Sequence, residues 1–76
     1  MRRYFFDVTD RANVQYDYRG YEFGNPEQAR QHAELIALDI GCTPDHNFDR
    51  TEIQVRDIVG QFLFTVAVRE LDLIAA

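Results

Sequence analysis

Asn25-Pro26-Glu27-Gln28-Ala29-Arg30-Gln31-His32-Ala33-Glu34-Leu35-Ile36-Ala37-Leu38-Asp39-Ile40-Gly41 carries the clearest local signal in this chain, and strand-like alternation lies on both sides of it. Asn25 has the side chain of an N-cap, and Pro26 follows at the first helical position, where a missing N–H costs nothing. Glu27 sits on the positive end of the helix dipole, and Gln28 completes a capping box. The spacing predicts a helix to about Ile40, stopped by a left-handed Gly41, with Pro44 preventing resumption. Ala29, Ala33, Ile36 and Ile40 fall on one stripe with Ala37 and His32 at its margins, and the alanines allow close approach to a sheet. Leu35 and Leu38 point away from that stripe.

On the N-terminal side, Tyr4, Phe6 and Val8 alternate with Phe5, Asp7 and Thr9, the period of a strand with one buried face. Asp10 to Asn13 supplies a turn, and Val14, Tyr16 and Tyr18 then alternate with Gln15, Asp17 and Arg19, giving a first hairpin. Gly20 breaks the run, and Tyr21 and Phe23 extend a short kinked strand. Beyond the helix, Cys42 to Arg50 reads as a polar loop. Thr51 to Asp57, a turn through Ile58-Val59-Gly60, and Gln61 to Arg69 make a second hairpin, with Phe62, Phe64, Val66 and Val68 alternating with Leu63, Thr65, Ala67 and Arg69. The order β-β-α-β-β predicts an α+β fold of two layers, a four-stranded antiparallel sheet with one helix packed on one face. Such a sheet is about 19 Å wide and a helix about 10 Å across, so rings from Tyr4, Phe6, Tyr16, Tyr18, Phe62 and Phe64 are expected to fill the remaining core.

The 76 residues make a single domain, 1–76, and 46% apolar with 28% charged residues is the balance of a folded chain. Lys, Ser and Trp do not occur, which removes Schiff-base, Walker-lysine and serine-nucleophile chemistry. A net charge of −5 opposes binding to nucleic-acid backbones. No apolar run reaches the roughly 18 residues of a membrane span, and the first residues lack a signal-peptide core. The expected setting is cytoplasmic, with neither nucleic acid nor membrane as partner.

The segments Arg3-Tyr4-Phe5-Phe6-Asp7-Val8, Pro26-Glu27-Gln28-Ala29-Arg30-Gln31-His32-Ala33, Glu52 to Asp57 and Gly60 to Val66 together resemble a family of short bacterial proteins of unknown function. Those proteins share an Arg-aromatic-Phe-Phe opening, an Ala-rich central helix and a closing hairpin whose last strand ends in Thr-Val. The resemblance implies the fold and no activity. Where the family has an Asp-Gly type turn after its first strand, this chain has Arg11-Ala12-Asn13. The first half is also similar to antitoxin-type partner proteins with an aromatic strand pair and a Glu-Ala-rich helix, which makes an antitoxin-like partner-binding role one alternative.

Candidate sites are few. Cys42, Asp45, His46 and Asp49 are metal-ligand types, but they lack the paired Cys or His intervals of a structural zinc site, so no metal or other cofactor is expected. A small-ligand or metal-binding domain using the Cys42–Asp49 loop with His32 stands as the second alternative. Cys42 with His32 or His46 as nucleophile and base has only residue type behind it. Asp7, Asp17 and Asp57 are candidates for acid–base work, yet ion pairing with Arg19, Arg56 and Arg69 on the outer sheet face accounts for them better. The chain therefore leans away from enzymes. Once one core is assigned, apolar residues remain: Phe5, Leu63 and Ala67 on the outer sheet face, Leu35 and Leu38 on the helix back, and Leu71, Leu73 and Ile74 in the tail. A contiguous apolar patch marks an association surface. The leading expectation is a small non-enzymatic protein-association module that binds a protein partner or itself as a homodimer. Docking of the tail within the chain is the competing use of the same residues.

Overall fold

The computed structural model of the chain describes residues 1–11, 13–42 and 50–69. Helix α1 spans Pro26–Gly41, and its start follows from the side chains around it. Asn25 is extended, with φ of −157°, and its Oδ1 accepts from the Gln28 N–H at 2.9 Å. The Gln28 Oε1 reaches one residue further back than in the usual box and accepts from the Gly24 N–H at 2.8 Å.

The other end differs from expectation. Gly41 does not take a left-handed conformation: it is the last helical residue, and the Cys42 N–H donates to the Leu38 carbonyl at 3.0 Å. The buried positions of α1 are Ala29, Ala33, Ala37 and Gly41. Gly41 thus continues a row of small buried residues at four-residue spacing.

Strands β1 (Arg2–Thr9), β2 (Val14–Gln15), β3 (Tyr21–Phe23), β4 (Glu52–Asp57) and β5 (Phe62–Ala67) form one antiparallel sheet. The order is β2-β1-β4-β5, with β3 pairing the same edge of β1 as β2, so the first strand is central. One helix packed on an antiparallel sheet is the expected α+β architecture. The helix packs against β4 and β5 and, at its start, β3. Tyr4, Phe6, Ile53 and Val55 are buried beneath it with the alanines.

Three of the expected core rings lie outside. Tyr16, Tyr18 and Phe62 are 56%, 86% and 55% exposed, whereas Tyr4 and Phe6 are buried and Phe64 packs against the core. Each reversal has a register cause. Val8 pairs with Gln15 but Tyr4 pairs with Tyr21, so residues 16–20 leave the ladder opposite Phe5, Phe6 and Asp7 and take both tyrosines with them. In the second hairpin a bulge at Leu63, across from the Val55–Arg56 step, sets Phe62 opposite Arg56. That bulge inverts the alternation at the start of β5: Phe62 turns outward, and Leu63, expected on the outer face, packs against the core.

The departure of residues 16–20 depends on Gly20, at φ +72°, where a Cβ would meet the Tyr4 carbonyl oxygen at 2.7 Å. Gly20→Ala is expected to cost about 1–3 kcal/mol, through both the left-handed backbone and that contact. Asn25→Ala is expected to cost about 1 kcal/mol by removing the cap. Urea unfolding followed by circular dichroism checks both, and an unchanged midpoint for Gly20→Ala would contradict the account of this excursion.

Candidate functional site

The three aspartates considered for acid–base work are all engaged in building the sheet. Asp7 is buried, and its Oδ2 accepts from the Arg56 Nε at 2.8 Å, the expected cross-strand ion pair. Asp17 fills the gap left by the excursion. Its Oδ2 accepts from the Phe6 N–H at 3.1 Å, its Oδ1 from the Arg19 and Gly20 N–H groups at 3.0 Å, and its own N–H donates to Asp7 Oδ1 at 2.9 Å. Arg56 also donates to the Asp17 carbonyl at 3.0 Å and lies 4.6 Å over the Phe5 ring. Asp57 shapes the β4–β5 turn, its Oδ1 accepting from the Val59 and Gln61 N–H groups at 3.0 and 2.9 Å.

His32 stands in an aromatic enclosure, with its ring centroid 4.8 Å from Phe6, 4.5 Å from Tyr21 and 5.2 Å from Phe23. Beside it an open groove of about 540 Å³ runs over Phe6, Val8 and Ile36 toward Tyr16, Tyr18 and Tyr21. Of the Cys42–Asp49 loop, residues 43–49 lie outside the described residues. Among the described residues, no three His, Cys, Asp or Glu side chains are grouped to hold a metal ion.

The other side of the helix brings expected surface residues together. A groove of about 310 Å³ between α1 and β5 is lined by Glu34, Ala37, Leu38, Val66, Ala67 and Arg69. Leu38 and Ala67, which helix and strand periodicity place separately on the surface, share it. Leu35 is exposed one turn earlier. Phe5 is half-buried under Arg56, Leu63 is half-buried against the core, and Leu71 and Leu73 lie outside the described residues. Periodicity did not single out Ile58 and Val59, which stand exposed at the tip of the β4–β5 hairpin because they belong to a turn.

Strand β5 borders this groove and forms the end of the strand order. The Val68 N–H donates to the Thr51 carbonyl, and Ile53 with Val66 and Val55 with Phe64 continue the same register. In an antiparallel ladder, bonded pairs alternate with unbonded ones. The backbone groups of Thr65 and Ala67 therefore point away from β4, and among the described residues no strand pairs with them. Native edges are usually blunted by charge or proline. Phe-Leu-Phe-Thr-Val-Ala has neither.

A family described as a domain of unknown function, DUF6894, matches residues 3–69. The chain belongs to this family. The match takes in the helix and, apart from Arg2 at the start of β1, the described strands of this DUF6894 chain. No curated protein and no solved structure matches the chain.

The Asp17 carboxylate has a pH consequence. Burial opposes its ionisation, but the N–H groups of Gly20, Phe6 and Arg19 and the charge of Arg56 outweigh that, holding its pKa below the ordinary 3.8. A lowered native pKa stabilises the fold above the unfolded value, and the benefit is lost as pH falls through the native one. Stability is therefore expected to fall as pH drops below about 4. Asp17→Asn should flatten that dependence and lower stability at neutral pH by about 1–3 kcal/mol. Denaturant titrations of both proteins between acid and neutral pH check this.

Proposed function

We propose that this chain is a small non-enzymatic protein-association module, working most simply as a homodimer through the side where α1 meets β5. The observation that carries the reading is the groove in which Leu38 and Ala67 lie together beside a strand edge without charge or proline. The Asp7, Asp17 and Asp57 carboxylates are committed to backbone and Arg56, which favours a binding role over acid–base chemistry. The bacterial setting rests on the resemblance of the strand and helix motifs. A free, exposed Cys42 suits a reducing, cytoplasmic compartment. Among the described residues no helix is long and apolar enough to cross a membrane.

Leu38 is 47% exposed, so replacing it should leave the fold intact. Sedimentation velocity over a wide concentration range is expected to show a reversible dimer, and Leu38→Glu should raise its dissociation constant about tenfold. A wild-type chain that remains a compact monomer at high micromolar concentration overturns homodimerisation.

A further inference from the structure

We infer that the β2–β3 edge of the sheet has two registers on β1 and that the Asp17 carboxylate is the latch that selects the observed one. The observed edge carries a surplus. Val8 pairs with Gln15 and Tyr4 with Tyr21, so three residues of β1, Phe5 to Asp7, face five, Tyr16 to Gly20, where a regular ladder has three. In an antiparallel pair the N–H groups of alternate residues point to the same neighbour. The Asp10 N–H bonds the Asn13 carbonyl on this side, so the N–H groups of Val8, Phe6 and Tyr4 point this way too. Phe6 falls within the surplus, and its part-buried N–H takes Asp17 Oδ2 in place of a strand carbonyl.

A buried N–H without a partner is costly, and the sequence holds a second partner for this one. Sliding β2 by two residues along β1 continues the Tyr4–Tyr21 register without a break and sets Arg2–Thr9 against residues 16–23, eight against eight. Phe6 then stands opposite Arg19, whose carbonyl in the observed register accepts from Arg3. β2 is the piece that moves. It has two pairs and exposed side chains, whereas β3 is held by three pairs, by the Arg3–Glu22 ion pair and by the packing of Tyr21 and Phe23 around His32. In the slid register Val14 and Gln15 join the turn, and a shift of two residues leaves the two faces of the strand unchanged.

Asp17 selects the register because both of its oxygens act as acceptors. Oδ2 takes the Phe6 N–H and Oδ1 the Arg19 and Gly20 N–H groups, while the Asp17 backbone donates to Asp7 and accepts from Arg56. Sliding gives up all of these contacts. An asparagine has a single accepting oxygen, and its NH2 must meet an N–H either at Phe6 or at Arg19 and Gly20, so it holds the surplus poorly. What the latch keeps in place is a wall of the aromatic groove, to which Tyr16 and Tyr18 contribute beside Phe6, Val8 and Ile36. In the slid register the two tyrosines stand opposite Thr9 and Asp7, on the face away from α1, and the groove loses that wall. The edge is thus a two-state element in which a broken strand with a groove exchanges for an unbroken strand without one.

Nuclear magnetic resonance of the isotopically labelled full chain reads the register. Residues of a non-hydrogen-bonded antiparallel pair have Cα atoms about 4.5 Å apart, so their Hα protons give strong cross-strand Overhauser effects. Thr9 with Val14 is such a pair and should give the effect in the wild-type chain. In Asp17→Asn that effect is expected to vanish, with Thr9–Tyr16 and Asp7–Tyr18 effects in its place and the Arg3–Glu22 effect unchanged. An Asp17→Asn chain that keeps the Thr9–Val14 effect, or that shows neither set while circular dichroism reports it folded, overturns the inference. A wild-type chain that already shows the Thr9–Tyr16 effect overturns the role of Asp17. If Asp17→Asn does not fold, Thr9→Cys and Tyr16→Cys are added to it in a Cys42→Ala background, where a disulfide at that pair locks the slid register. The oxidised chain is expected to regain the wild-type helix content and to show the Asp7–Tyr18 effect, and an oxidised chain lacking either overturns the inference.

Discussion

The placement of α1 depends on how closely its backbone can approach the sheet. Ala29, Ala33, Ala37 and Gly41 repeat every four residues, and each is buried. Because these positions carry almost no side chain, the helix settles over β4 and β5, with Ile53 and Val55 wholly buried beneath it. Larger residues there would lift the helix and open voids that the short strands cannot refill. Seated on that side, the helix directs Ile36 toward the aromatic groove and Leu38 toward β5. One packing constraint thus creates both clefts on the helix-bearing face.

The far side of the sheet is held by charge. Asp7 is almost fully buried and Arg56 covers it from β4, while Asp17 accepts from the part-buried Phe6 and Gly20 N–H groups and from the exposed Arg19 N–H. An unpaired buried N–H is costly, so the carboxylate makes the gap between β2 and β3 tolerable. Arg3 adds a second tie, donating to the Arg19 carbonyl at 2.6 Å and to Glu22 at 2.9 Å.

Much of this was legible in the sequence because it rests on local signals. The cap at Asn25, the turn at Asp10–Asn13, the alternation of β1 and the β-β-α-β-β order all follow from side chains within a few residues of each other. Tyr16, Tyr18 and Phe62 depart from their alternation for another reason. Their orientation is set by a register slip along β1 and by a bulge in β5, neither of which alternation records. Gly41 misled because glycine is equally at home as a left-handed stop and as a small residue under a helix. At the surface, periodicity found Leu38 and Ala67 separately, but only the three-dimensional pairing of α1 with β5 puts them in one groove.

The central place of β1 sets the order in which the molecule can assemble. Its longest ladder runs from Tyr4 opposite Asp57 to Thr9 opposite Glu52, so it joins segments separated by more than half of the 76 residues. Contacts between segments so remote in sequence slow the search for the native state. During synthesis the opening strand leaves the ribosome early but meets its main neighbour only after the helix and β4 have followed. Until then the described strands on offer to it are the short β2 and β3, and β4 is not yet there to seat the helix that covers Phe6.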